Sequence, residues 1–182
     1  MNKRIISPSL LSADFSTLKE EIDVVVNSGA NRLHLDVMDG HFVPNFTFGP
    51  FIVKAIRKLT NAHLETHLMI SNPDKYLQDF IDAGSDTLIF HYEASTDIDR
   101  DIKTIKDNDV LAGIAINPDT EIESIEKYLR DIDYILIMSV NPGFGGQGFI
   151  ESSLDKIKFL SKYAEDLNFT IGVDGGVNLK TI

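Results

Sequence analysis

His34, Asp36 and Met38 sit two residues apart in RLHLDVMDG, a stretch with the alternation of a β-strand. Residues two apart on a strand share a face, so an imidazole, a carboxylate and a thioether point one way while Leu33, Leu35 and Val37 point the other. The split recurs in HLETHLMI, where His67 and Met69 oppose Leu68 and Ile70, and in TIGVDGG, where Asp174 opposes Ile171 and Val173. Met138 holds the matching C-terminal position in YILIMSV, and Ser9 closes the first apolar stretch in ISPSLLSADF. A lone strand histidine is ordinarily a hydrogen-bonded core residue, and a lone strand-end aspartate a helix cap. Two imidazoles and two carboxylates at matching heights on three strands are instead a divalent metal site with positions left open for substrate. His34, Asp36, His67 and Asp174 are its candidate ligands, and the donor set suits Zn²⁺, Fe(II), Mn²⁺ or Co²⁺ alike.

Two glycine-rich turns follow late strands: NPGFGGQGF at residues 141–149 and DGGVN at 174–178. Glycines let backbone N–H groups approach an anion, and paired turns of this kind late in a barrel form a phosphate site. Met38, Met69 and Met138 are three of the four methionines. They are either core filler or a dry cap that excludes water without offering a proton. His91 and Glu93 share a face in FHYEAS and read as residues lining the mouth, with Asp39 and Asn45 as supports for a lid.

The elements that must position these residues alternate. Strands are expected at 5–10, 32–37, 63–69, 87–91, 110–116, 134–138 and 170–174. Helices are expected in STLKEEIDVVVNSG, with a capping box from Thr17 to Glu20 and a stop at Gly29, and in NPDKYLQDFIDAG, capped by Asn72 with Pro73 first and Gly84 last. TEIESIEKYLRD and SSLDKIKFLSKYAEDL complete the set. Strand–helix alternation means parallel strands joined by right-handed crossovers, and SGANRLHLD, AGSDTLIFH and RDIDYILIM echo one another. The fold class expected is α/β, a (β/α)8 TIM barrel, rather than a dinucleotide fold, because no G-x-G-x-x-G follows the first strand. Such barrels usually need about 200 residues or more. At 182 residues the chain is expected to be a single domain over 1–182, with the eighth strand and last helices outside it.

Acidic residues outnumber basic ones by 28 to 17, for a net charge of −11. Such a surface repels nucleic acid and anionic membranes, so an anionic ligand would be held by backbone N–H groups. There is no cysteine, which excludes disulfides and thiolate chemistry. No run of about 18 apolar residues and no signal peptide is present, as expected of a cytoplasmic protein.

The motifs SPSLLSADF, LHLDVMDGHFVPN, THLMI, MSVNPGFGGQGF and VDGGVN together resemble the ribulose-phosphate 3-epimerase family of ribulose-phosphate-binding barrels, in order and over residues 5–182. The resemblance implies a metal-dependent isomerase of the pentose phosphate pathway that interconverts D-ribulose 5-phosphate and D-xylulose 5-phosphate through an enediolate, and a homo-oligomer. It makes His34, Asp36, His67 and Asp174 the ligands of one divalent ion, and Asp36 and Asp174 also the acid/base pair. Ser9, His67 and Asp174 would touch the substrate, and Gly143, Phe144, Gly145, Gly146, Gly175 and Gly176 would hold its phosphate. The alternatives are an epimerase of a six-carbon ketose phosphate such as D-allulose 6-phosphate, and an inactive fragment or non-catalytic sugar-phosphate-binding module. A related decarboxylase is disfavoured, since its Asp-x-Lys-x-x-Asp run is replaced by Asp36-Val37-Met38-Asp39-Gly40.

Overall fold

Apolar stretches of strand period alternate with amphipathic stretches, so each crossover returns the chain to the same end of a parallel sheet. The computed structural model describes residues 4–181. Its strands are β1 (Arg32–Met38), β2 (His63–Met69), β3 (Thr87–His91), β4 (Leu111–Ile116), β5 (Tyr134–Met138) and β6 (Thr170–Asp174). Neighbours pair in parallel and in chain order. The register sets the heights of the side chains: His34 is level with Glu65, Asp36 with His67, Met38 with Met69, and Met138 with Asp174.

In a flat sheet of six strands the edge strands would stand about 24 Å apart, at about 4.8 Å per spacing. Yet His34 of β1 comes within 3.9 Å of Asp174 of β6. The sheet therefore curls until its first and last strands face each other across the interior.

Curling divides the packing. The outer face, with Leu33, Leu35, Leu88, Phe90, Ile114 and Ile135, packs on the helices α1 (Leu18–Asn27), α2 (Pro50–Arg57), α3 (Leu77–Asp82), α4 (Ile98–Lys106) and α5 (Ser153–Leu167). The inner face holds two smaller apolar clusters, one around Ile89, Tyr134, Leu136 and Met138, the other around Met38, Val43 and Met69. Tyr134 fits because two neighbours lack side chains: a Cβ on Gly172 would stand 2.1 Å from its hydroxyl, and one on Gly113 3.3 Å from its Cβ. Among the described residues, no helix is long and apolar enough to cross a membrane.

Four expected elements change. Residues 5–10 are not a strand: Ser9 makes a single parallel bridge to His34, and its hydroxyl caps a 3-10 turn at Leu10–Ser12 that ends the pairing. The capping box does not form, because a 3-10 turn at Phe15–Thr17 leads straight into α1 and Asp14 caps that turn instead, leaving Thr17 without a side-chain bond. The helix expected from Asn72 is broken at Tyr76 into a 3-10 turn, Pro73–Lys75, and α3, and Asn72 makes no capping bond. TEIESIEKYLRD forms a 3-10 segment, Ile122–Tyr128, rather than an α-helix. Two helices fall outside the expected set: α2 begins on Pro50, and α4 is capped by Asp97 accepting from the N–H of Arg100.

Candidate active site

Parallel pairing puts His34 and Asp36 on β1 beside His67 on β2, and curling brings Asp174 from β6 to close the ring. His34 Nε2 lies 3.3 Å from His67 Nδ1, 3.4 Å from Asp36 Oδ1 and 3.9 Å from Asp174 Oδ2. His67 Nδ1 lies 3.4 Å from Asp36 Oδ1 and 3.8 Å from Asp174 Oδ2. One donor atom from each of the four falls within 4.8 Å of the others. Four ligands placed tetrahedrally at about 2.1 Å from one ion lie about 3.4 Å apart. Two nitrogens and two carboxylate oxygens at this spacing could hold one divalent cation.

Burial disfavours charge at His34, Asp36 and His67, and the neighbours oppose it to different degrees. At His34 burial pushes the imidazole down, yet the carboxylates of Asp36, Glu65 and Asp174 outweigh it and hold it well above the usual range. At Asp36 burial pushes the carboxyl up, yet the charge and bond of His34 outweigh it and hold it well below. At His67 burial prevails and lowers the imidazole, which is neutral.

A cleft opens over the cluster at the C-terminal ends of the strands. Ser9, Asp36, Asp174, Met38, Met69, Met138 and, from the late turns, Gly143, Gly145, Gly146, Gly175 and Gly176 line it. His34 and His67 lie under its floor; His67, expected to touch substrate, is 0% exposed. The Ser9 hydroxyl donates to Asp36 Oδ2 at 2.5 Å, leaving Oδ1 toward the histidines. The two glycine turns interlock. A Cβ on Gly176, at φ +64°, would stand 2.6 Å from the backbone of Phe149, so only glycine admits this approach. Phe144 lines the cleft half-exposed, and the Gln147 amide donates to the carbonyls of Asn141 and Phe144, stapling the loop.

Asn45 and Asp39 act as ties between loops. The Asn45 amide donates to the Gly143 carbonyl at 2.8 Å, and the Asp39 carboxylate accepts from the N–H groups of His41, Phe42 and Ser71. His91 is fully buried behind His67 rather than at the mouth, with its Nε2 2.9 Å from His67 Nε2. Glu65 was not expected. It is 1% exposed, bonded to Arg32 at 2.6 Å, with its second oxygen 3.8 Å from His34 Nδ1. The signal was available, since Glu65 shares the face of His67 and Met69 in HLETHLMI.

Residues 5–182 match the ribulose-phosphate 3 epimerase family. A ribulose-phosphate 3-epimerase from Bacillus subtilis is 49% identical over 179 residues, covering 97% of this chain and 82% of the relative. One from Synechocystis is 50% identical over 182 residues, covering 97% of this chain and 79% of the relative. Among solved structures, 3-keto-L-gulonate-6-phosphate decarboxylase from Vibrio cholerae superposes with a TM-score of 0.63 at 16% identity, covering 96% of this chain and 79% of the neighbour. That likeness is one of fold, of the TIM-barrel type.

Proposed function

The chain belongs to the ribulose-phosphate 3-epimerase family, and we propose that Asp36 and Asp174 are the two proton carriers that invert C3 of the bound sugar. It is an epimerase of D-ribulose 5-phosphate and D-xylulose 5-phosphate. The observation that carries the assignment of roles is the convergence of two carboxylates from opposite ends of the sheet on one cleft floor.

Epimerisation beside a ketone removes a carbon-bound proton and returns one to the opposite face. Asp36, a ligand of the ion on this reading as well as a base, accepts the C3 proton as a carboxylate in one direction. Asp174, reaching in from β6, delivers a proton to the other face, and the roles exchange on the return. Positioned groups of this kind contribute about 10²–10⁴-fold each. His34, Asp36, His67 and Asp174 would hold a divalent ion, Zn²⁺, Fe(II), Mn²⁺ or Co²⁺, which supplies Lewis-acid stabilisation of the negative charge developing on the enediolate.

Ser9 orients Asp36 through its hydroxyl bond and lines the substrate side of the cleft. The three methionines surround the reacting carbon with side chains that exclude water and carry no acidic proton. The phosphate sits on the backbone N–H groups of residues 143–146 and of Gly175 and Gly176. Among the described residues, the N–H groups of Gly146 and Gly176 have no acceptor within the chain. On this reading the curled sheet belongs to a (β/α)8 barrel that works as one domain and as a homo-oligomer in the cytoplasm. The sequential parallel strand order and the fold of the neighbours support the barrel.

The test is NMR of D-ribulose 5-phosphate in D₂O with the chain, first with chelator and then with added divalent metal. Metal-dependent deuterium uptake at C3 with formation of D-xylulose 5-phosphate is the expected result. A folded, metal-loaded chain that exchanges nothing overturns the assignment.

A further inference from the structure

We infer that His91 and Glu93 are positioning residues for His67: they fix its ring proton on Nε2 and so present Nδ1 to the cluster as a free lone pair. The consequence for metal binding rests on the metal reading above; the direction of the proton chain does not.

The direction follows from donors and acceptors. Glu93 Oε1 accepts from the N–H of Asn117 at 2.8 Å and from the Thr120 hydroxyl. Its Oε2 lies 3.1 Å from His91 Nδ1. A carboxylate that already takes two donors is an acceptor only, so His91 Nδ1 carries a proton. His91 is 0% exposed, packed against the Phe42 ring at 4.6 Å and stacked on His67 at 5.0 Å. A ring that gives its Nδ1–H to a carboxylate offers its Nε2 lone pair, so His91 Nε2 accepts. The 2.9 Å contact between the two Nε2 atoms needs one proton, which is therefore on His67. His67 Nδ1 is left bare, facing His34, Asp36 and Asp174.

The far end of the chain is anchored in the scaffold. Lys156 of α5 donates to the carbonyls of Asn117, Pro118 and Thr120 at 3.0, 2.6 and 2.7 Å, which holds the loop after β4 against Glu93. A histidine ligand whose outer N–H is held in this way has its tautomer and ring orientation set in advance.

Glu93→Gln tests the inference because it keeps the shape and reverses the chain. The amide oxygen satisfies Asn117 and Thr120, so the NH₂ group faces His91 Nδ1, which must then accept. The proton of His91 moves to Nε2, and that of His67 to Nδ1, pointing into the cluster. Long-range ¹⁵N–¹H NMR of metal-free protein is expected to show the Nε2–H tautomer at His67 in the parent chain and the Nδ1–H tautomer in E93Q. Zn²⁺ affinity, by chelator competition, is expected to fall by about 10–100-fold with an unchanged far-UV spectrum. An Nδ1–H tautomer in the parent chain overturns the inference, as does a tautomer or a Zn²⁺ affinity unaltered in a folded E93Q. If E93Q does not fold, the parent spectrum alone decides. A parent chain that shows the Nε2–H tautomer and binds no Zn²⁺ upholds the proton chain and overturns the metal reading instead.

Discussion

His34 Nε2 of β1 and Asp174 Oδ2 of β6 lie 3.9 Å apart, although their strands are the first and last of the sheet. This closure makes one site of two carboxylates more than a hundred residues apart in the chain. Asp36 stands with the histidines of β1 and β2, while Asp174 arrives from the opposite end of the sheet. Inversion needs that opposition, because the outgoing and incoming protons use different faces of the carbon.

Asp174→Asn is expected to abolish inversion while leaving exchange. With Asp36 intact, one epimer still trades its C3 proton for solvent deuterium, but product formation falls by about 10²–10⁴-fold. Time-resolved NMR in D₂O separates the two events. Normal epimerisation by a D174N chain removes Asp174 from the mechanism.

Metal affinity is expected to depend on pH through His34. Burial lowers its imidazole, but the carboxylates of Asp36, Glu65 and Asp174 outweigh burial and raise it, so the metal-free site retains a proton that the ion must displace. Affinity therefore rises with pH, by about tenfold per unit, until His34 loses that proton unaided. Below that point binding releases protons, which calorimetry in two buffers of different ionisation enthalpy counts. A flat affinity profile with no proton release contradicts the charge state given to His34.

Glu65 is expected to stabilise the fold through Arg32 and His34. Burial alone would raise its carboxyl, but the His34 imidazole 3.8 Å away and the bond from Arg32 hold it at about 2. Its folded value lies below its unfolded one, so the stabilisation is complete above about pH 4.5 and is lost as pH falls toward 2. The shift corresponds to roughly 3 kcal/mol at neutral pH and about two-fifths of that at pH 3. Urea unfolding of metal-free protein should show Glu65→Gln destabilised at pH 7 and closer to the parent at pH 3. An equal gap at both values assigns the loss to packing.

The two glycine turns are expected to differ in tolerance. Gly176→Ala forces a side chain toward the Phe149 backbone at positive φ, whereas a Cβ on Gly145 meets nothing within 4 Å. The αL penalty alone is about 1–2 kcal/mol. Thermal melts should show G176A clearly lower than G145A, and G176A should weaken competition by inorganic phosphate. Equal melting temperatures contradict the interlock between the turns.

The alternation of polar and apolar residues in RLHLDVMDG, HLETHLMI and TIGVDGG was enough to select the inner face of three strands and the four residues that cluster on it. It was enough because strand period is local: a backbone with a two-residue repeat places its side chains whatever lies elsewhere in the chain. Glycine spacing was equally local and marked both loops of the cleft. The capping box at Thr17 failed for the opposite reason, since a competing turn capped by Asp14 lay just upstream. Residues 5–10 have strand-like composition, but pairing is decided by the partner, and only Ser9 finds one. Glu65 shares the alternating face of His67, but its pairing with Arg32 and His34, like the His67–His91–Glu93 chain, was decided by register and burial, which no alternation pattern specifies. The residue types of the candidate site were written in the linear pattern. The tertiary structure decided which charges face one another, because curling the sheet is what removes the roughly 24 Å between its edges and leaves the half-buried Asp174 beside the buried His34.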